Sequence, residues 1–403
     1  MIYFMKYKKI GLASLLLALC WVSGCNPSGS SEKVASIIEH TKAYFVPDSR
    51  VDLFRVKVEQ AGDSLLLAGE TTLPEAKQAL LDSLSQQNIT AIDSVEVLPA
   101  QELGDRIYAL VNNSVANVRS SPSHPAQLST QAILGMPLKV LKRQGNWYLV
   151  QTPDDYLGWL DSGGLERLTQ DQYEEWAGAP KLIYQHTYGS SYRRPSASAG
   201  KVTDLVAGSI LRLEGQQNEF YEVRYPDGRQ GYIPITAAQP LDEWEQKTEA
   251  SQASLVESAK TMMGAPYLWG GTSTKGIDCS GFTKTIYFMN GRIIPRDASQ
   301  QIRAGTLVDD QHNFDNLQVG DLLFFGKEAT DTTARRVVHV GMWIGDSQFI
   351  HSAGRVHISS VDSTADNFDA YNLSRYLEAR RYLNNWKGNI IQTENMYSQW
   401  EEK

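Results

Sequence analysis

The sequence predicts a multidomain α+β chain: a small N-terminal α/β unit, two small β-barrels, and a C-terminal α+β domain in which helices precede an antiparallel sheet. Three observations carry that reading. A pattern of Gly, Pro, Asp and aromatic residues recurs at a fixed separation of 73 residues, pairing Gly135 with Gly208, Trp147-Tyr148 with Phe220-Tyr221, Pro153-Asp154 with Pro226-Asp227, and Gly158-Trp159 with Gly231-Tyr232. Downstream of the repeat, Phe282, Ile286 and Met289 recur at helical spacing, and the runs 317–325 and 337–350 read as strands. Upstream of it, strand-like and helix-like periods alternate between residues 51 and 98.

The 403 residues suffice for roughly two to four domains. A formal charge of −8 argues against nucleic acid as a partner. The chain opens like an export signal: Lys6, Lys8 and Lys9 precede an apolar run from Ile10 to Trp21 that is short for a bilayer span. It closes on Val22-Ser23-Gly24-Cys25, which resembles the lipobox of bacterial lipoproteins. That resemblance implies cleavage before Cys25 and lipidation there, hence an anchor in a bacterial membrane; the periplasmic face is the expected one, and the outer face is the other reading. An ordinary signal peptide is the competing reading. The Ser- and Gly-rich stretch Asn26 to Ser31 is expected to be a flexible tether. Processing would remove Cys20 and acylate Cys25, which leaves Cys279 as the one free thiol of the three cysteines.

Residues 26–105 form the expected N-terminal unit. Val51 to Val58 and Ser64 to Gly69 read as strands turned near Gly62-Asp63. Pro74 to Gln86 reads as a helix, with Ala76, Ala79, Leu80 and Leu84 on one side, and Ile92 to Leu98 as a further strand. The first part of the unit is also open to a helical reading. The repeat places one barrel in 106–178 and the second in 179–243, each built of short strands punctuated by turn residues. Both copies are similar to bacterial SH3-like domains, including Asn117-Val118-Arg119-Ser120 in the first. They are either spacers or walls that position a cell-wall peptide.

Residues 244–390 form the C-terminal domain, with 391–403 as a tail. A helix is expected over Ser251 to Met263, and a second begins at the N-cap Asp278 and ends at Asn290-Gly291. Cys279 therefore stands in a first helical turn, where free N–H groups and the helix dipole favour a thiolate. The hairpin 337–350 turns at Gly345-Asp346 and presents His339 and His351. The two share a face only if opposed residues sum to an even number, as with a three-residue loop Gly345 to Ser347. A two-residue turn would send His351 to the other face. His40, His124, His186, His312 and His357 read as surface or loop residues, and no Cys or His spacing suits zinc. A helix bearing Cys, followed by a sheet bearing His, is a papain-like order.

Four ordered motifs make the resemblance specific: Tyr267-Leu268-Trp269-Gly270-Gly271, Gly276-Ile277-Asp278-Cys279-Ser280-Gly281-Phe282, Val319-Gly320-Asp321-Leu322-Leu323-Phe324-Phe325 and His339-Val340-Gly341, with Phe349-Ile350-His351 following. Together they resemble the NlpC-type cell-wall cysteine peptidases. The resemblance implies Cys279 as nucleophile, His339 as base, His351 as the residue that orients it, Tyr267 beside the thiol, and no cofactor or metal. The wider domain order is similar to that of the γ-D-glutamyl-L-diamino-acid peptidases (dipeptidyl-peptidase VI). These cut wall peptides carrying a free N-terminal L-Ala. That likeness implies that Asp278 and Ser280 hold the free amine and the peptide, with the N-cap role of Asp278 as the competing reading, that Asp297 and Ser299 touch the ligand, and that the first barrel adds an acidic and a Tyr contact, for the second of which Tyr156 is the candidate. The polar insertion Gly326 to Arg336 departs from the short form of the family. Two other readings stand beside this one: an amidase or acyltransferase on the same core, and a non-enzymatic wall-binding lipoprotein.

Overall fold

A computed structural model describes residues 27–400. Cys20, Cys25 and the lipobox lie outside the described residues. The stretch expected as a tether is instead helical: a helix runs over Pro27–Phe45. It packs Val34 and Ile38 against the three-stranded sheet of the N-terminal unit, and this burial holds it as part of the fold. In that sheet Phe54–Ala61 pairs antiparallel with Ser64–Thr71, which pairs in parallel with Ala91–Val97 through the crossover helix Pro74–Gln86. Leu80 and Leu84 of the crossover helix are buried on the same side as Leu67, so one face of the sheet carries the core.

The repeat folds as two seven-stranded barrels with the same strand order. The common separation of 73 residues holds at strand level: Tyr108–Val111 corresponds to Lys181–Tyr184, Val115–Arg119 to Tyr188–Tyr192, Leu128–Ile133 to Lys201–Val206, and Pro137–Gln144 to Ile210–Gln217. The copies differ in what covers them. In the first, Trp147 and Trp159 are buried under Leu53, Leu98 and Ala100 of the N-terminal unit. The corresponding Phe220 and Tyr232 of the second copy are half-buried.

In the C-terminal domain Ser251 caps the helix Gln252–Thr261, and Asp278 caps the helix Cys279–Phe288 through Gly281 N–H at 2.7 Å. A six-stranded antiparallel sheet follows, with Leu322–Lys327, Arg336–Gly345 and Gln348–Ala353 adjacent. The expected strand 317–325 starts only at Leu322. Its first residues form a turn, in which the Asp321 carboxylate accepts the Gln318 N–H and binds Arg381. The sheet separates two cores. Leu322, Phe324, Val340, Met342 and Ile350 pack on the Cys279 helix, and Leu323, Phe325, Trp343 and Phe349 fill the outer face.

The segment expected as a tail is built in. Ile391–Gln392 pairs with Arg292–Ile293, and Tyr397 is buried with its hydroxyl on the Gly135 carbonyl of the first barrel at 2.8 Å. Two aromatic hydroxyls and an apolar residue, Met396, bind it to the barrel core. Among the described residues no helix is long and apolar enough to cross a membrane.

Candidate active site

Cys279 sits at the first residue of its helix and is buried, 8% exposed. Burial pushes its thiol up to about 12, and the nearby Asp278 charge adds to this. The backbone N–H groups of Val340 and Ser280 point at the sulfur and pull the other way. The Val340 contact fixes the neighbourhood. The Cα of His339 is two bonds from that nitrogen, so it lies within about 6 Å of the sulfur.

The hairpin reaches this arrangement by a route the sequence did not reveal. Its turn has two residues, Asp346 and Ser347, both with positive φ as a type I′ turn requires, and Gly345 opposes Gln348. That turn alone would place His351 on the wrong face. A register shift at Ile344 restores the parity, so Trp343 opposes Phe349 and Met342 opposes Ile350. One step further Gly341 faces His351, and a Cβ on Gly341 would come within 3.1 Å of the His351 Cβ. The same Cβ would come within 2.8 Å of the Phe349 ring, which packs on His351.

His339 Nε2 lies 2.7 Å from His351 Nδ1, and His351 Nε2 lies 3.0 Å from Ser359 Oγ. An Asp369 carboxylate oxygen stands 3.9 Å from the same Nε2 and favours a proton there. His351 Nδ1 then accepts from His339 Nε2–H, which leaves His339 Nδ1 with its lone pair, the form a base needs. Both rings leave the outer face of the sheet, against Phe325 and Phe349. The ladder between the two hairpin strands ends at Met342–Ile350, and beyond it the Val340 N–H turns to the sulfur instead of to a strand. The thiol thus meets the sheet at the Val340 backbone, one residue from His339. Burial, reinforced by neighbouring positive charge, pushes His339 down to about 3 and His351 to about 2, so both imidazoles are neutral in the folded protein. His357, expected to be a surface residue, lies across the next strand with its ring 4.4 Å from that of His351.

A cleft of about 450 Å³ opens over the thiol. Tyr267, Asp278, Ser280, Asp297, Ser299 and Tyr156 all line it with Cys279. Tyr156 comes from the first barrel, and its hydroxyl donates to Asp297 at 3.0 Å. Burial, with Asp297 alongside, raises the Tyr156 pKa, and burial with Cys279 and Asp278 alongside raises that of Tyr267, so both are phenols. Asp278 is less free than the resemblance implied. Its two oxygens accept from Gly281 N–H, Gly270 N–H and a fork of Arg296 N–H groups. The carboxylate thus has the capping role expected from its position and an ion pair besides.

Arg296 was not singled out in the sequence, yet it is 1% exposed and joins three parts of the site. It pairs with Asp278 at 2.6 Å, donates to Ser280 Oγ at 3.0 Å, and donates through Nε to Thr130 of the first barrel at 3.0 Å. Burial opposes its charge, and the Asp278 carboxylate outweighs burial and holds its pKa above the usual arginine range. Its neighbours Asp297 and Ser299 drew notice in the stretch Ile294 to Ser299, and Arg296 itself did not. Ser359, Asp369 and Arg50 also escaped notice, because their partners are distant in sequence. Trp269, 62% exposed, stands on the cleft as well.

The barrel is locked to this site. Gln131 exchanges hydrogen bonds with Thr272 and Ser273, and Gly270, at φ +81°, would bring a Cβ within 2.4 Å of the Leu128 carbonyl. A thiol at a helix N-terminus, set against a sheet that supplies paired imidazoles, defines a papain-like cysteine peptidase. More narrowly, the chain belongs to the NlpC/P60 family: the NlpC/P60 family model matches residues 264–381. The bacterial dipeptidyl-peptidase SH3 domain matches residues 118–165. Among curated proteins, the chain is 33% identical over 266 residues to the gamma-D-glutamyl-L-lysine dipeptidyl-peptidase of Bacillus cereus, covering 64% of this chain and 76% of that one. It is 27% identical over 264 residues to dipeptidyl-peptidase 6 of Lysinibacillus sphaericus, covering 63% and 92%. The crystal structure of an NlpC/P60 family protein from Bacillus cereus superposes with a TM-score of 0.58 at 26% identity, over 68% of this chain and 99% of that one. The protein is a cell-wall cysteine peptidase, which sets aside a purely wall-binding role.

Proposed function

We propose that the protein hydrolyses the γ-D-glutamyl–diamino acid bond of peptidoglycan-derived peptides that carry a free N-terminal L-Ala, in cell-wall turnover or recycling. The observation that carries this reading is the composition of the cleft wall. Tyr156 and Leu128 of the first barrel and Arg50 of the N-terminal unit line it beside Cys279, in a volume suited to a short peptide end. The names of the Bacillus and Lysinibacillus relatives support the same bond.

In this mechanism His339 Nδ1 takes the thiol proton, and the Cys279 sulfur attacks the γ-glutamyl carbonyl carbon. Backbone N–H groups at the helix start, that of Cys279 among them, stabilise the oxyanion in this mechanism. His339 returns the proton to the leaving amine of the diamino acid. It then deprotonates the water that splits the thioester and frees the L-Ala-D-Glu product. His351 holds the His339 ring, and Tyr267, Ser280, Asp297, Ser299 and Tyr156 contact the peptide. Cys279→Ala should abolish cleavage of L-Ala-γ-D-Glu-L-Lys, read by mass spectrometry of the products, and leave the melting temperature nearly unchanged. Blocking the L-Ala amine should cut the wild-type rate at least about tenfold. Equal cleavage of free and blocked peptides would refute the dipeptidyl reading.

A further inference from the structure

The N-terminal unit reaches into the peptidase cleft through one side chain. Arg50 lies in the segment between the first helix and the first strand, and its backbone is tied to the first barrel: Leu157 N–H donates to the Arg50 carbonyl at 2.7 Å. Asp48 grips the guanidinium in a two-point fork at 2.7 and 2.6 Å. The Nη1 group crosses to the peptidase domain, donating to Asp297 at 2.7 Å and to Ser299 at 2.9 Å. Asp48 is itself held by Gln300 at 3.0 Å. Arg50 lines the cleft with its side chain 33% exposed, and it belongs to a segment outside both family matches.

A guanidinium has five N–H donors, and four of Arg50's are placed by these contacts. The fifth, on Nη2, has no protein acceptor among the described residues. The other cations on the cleft are less suited to a substrate. Arg296 is sealed and consumed by Asp278, Ser280 and Thr130. Arg336 is an exposed side chain with no ion pair among the described residues, and would lose more freedom on binding.

A γ-linked D-glutamyl group keeps its α-carboxylate free, a few bonds from the carbonyl under attack, and a terminal L-Ala adds one ammonium. We propose that Arg50 binds this α-carboxylate through its remaining Nη2 N–H, and that Asp297, the second carboxylate on the guanidinium beside Asp48, binds the ammonium of an L-Ala-γ-D-Glu end. Arg50 has this role only if the acyl group is γ-D-glutamyl, as proposed above. The N-terminal unit is then a specificity element of the peptidase.

The test compares L-Ala-γ-D-Glu-L-Lys with the same peptide carrying an α-carboxamide, using the full chain. Wild type should favour the carboxylate roughly ten- to hundredfold in kcat/KM. Arg50→Gln should bring the ratio of kcat/KM for the two peptides most of the way to one, chiefly through KM on the carboxylate peptide, and Arg50→Lys should retain part of the preference. Arg336→Gln should keep the preference. A parallel loss on both peptides in Arg50→Gln would reduce Arg50 to a structural strut, and loss of the preference in Arg336→Gln instead would assign the carboxylate there. Both results overturn the proposal while leaving the γ-glutamyl reading intact. Failure of wild type to cleave either peptide would remove both.

Discussion

At the scale of single residues, the neutral imidazoles have a consequence for acid stability. His339 is pushed down to about 3 and His351 to about 2 by burial, while an unfolded histidine titrates near 6.5. Between about pH 3 and 6.5 the unfolded chain therefore binds protons that the folded chain refuses, and stability falls as the pH falls through that window. The melting temperature should drop on going from pH 7 to pH 4.5, and His351→Gln should drop less steeply, since the replacement does not titrate. Equal slopes would mean that the rings are charged in the fold. With His339 as the proposed base, the same burial puts the acidic limb of kcat/KM well under pH 6.5.

At the scale of elements, the hairpin shows what was legible in the sequence and what was not. The Cys279 helix could be read to its cap, because Asp278 and the period of Phe282 and Ile286 are local signals. The barrels could be read from the repeat, and the strand bounds keep its spacing. The parity of the histidine hairpin could not: the two-residue turn and the shift at Ile344 cancel, and neither has a distinctive residue. The tether and the tail misled for another reason. Their composition is polar, but Val34 in the first helix and Met396 and Tyr397 at the other end are buried by distant elements. Ser347 occupies a left-handed position at φ 56°, its side chain makes no hydrogen bond among the described residues, and its carbonyl accepts the Val361 N–H. Ser347→Gly should therefore stabilise the protein by up to about 1 kcal/mol in chemical denaturation and leave kcat unchanged. A loss of activity would show that the turn residue itself sets the register.

At the scale of the whole molecule, the cleft is assembled from three bodies, and its geometry depends on how firmly they dock. The docking includes an ion pair removed from solvent. Lys284, on the Cys279 helix, meets Asp154 of the first barrel, with side chains 10% and 1% exposed, and Thr152 donates to the other Asp154 oxygen at 2.7 Å. Burial depresses the Lys284 pKa and the Asp154 charge opposes the depression, so each charge depends on the other. Breaking such a pair strands one buried charge and costs about 3–5 kcal/mol, whereas replacing both partners with apolar groups of similar size is often neutral. Asp154→Asn should thus lower stability by about that amount in urea unfolding, and Asp154→Leu with Lys284→Met should recover most of it. Activity discriminates further. If the pair also sets the register of barrel against helix, the double variant will be stable yet show a raised KM, because Tyr156 and Leu128 will no longer meet the cleft at the same place. A double variant with wild-type KM would assign that register to the Gln131 contacts with Thr272 and Ser273, and to Arg296 bridging Thr130 and Asp278.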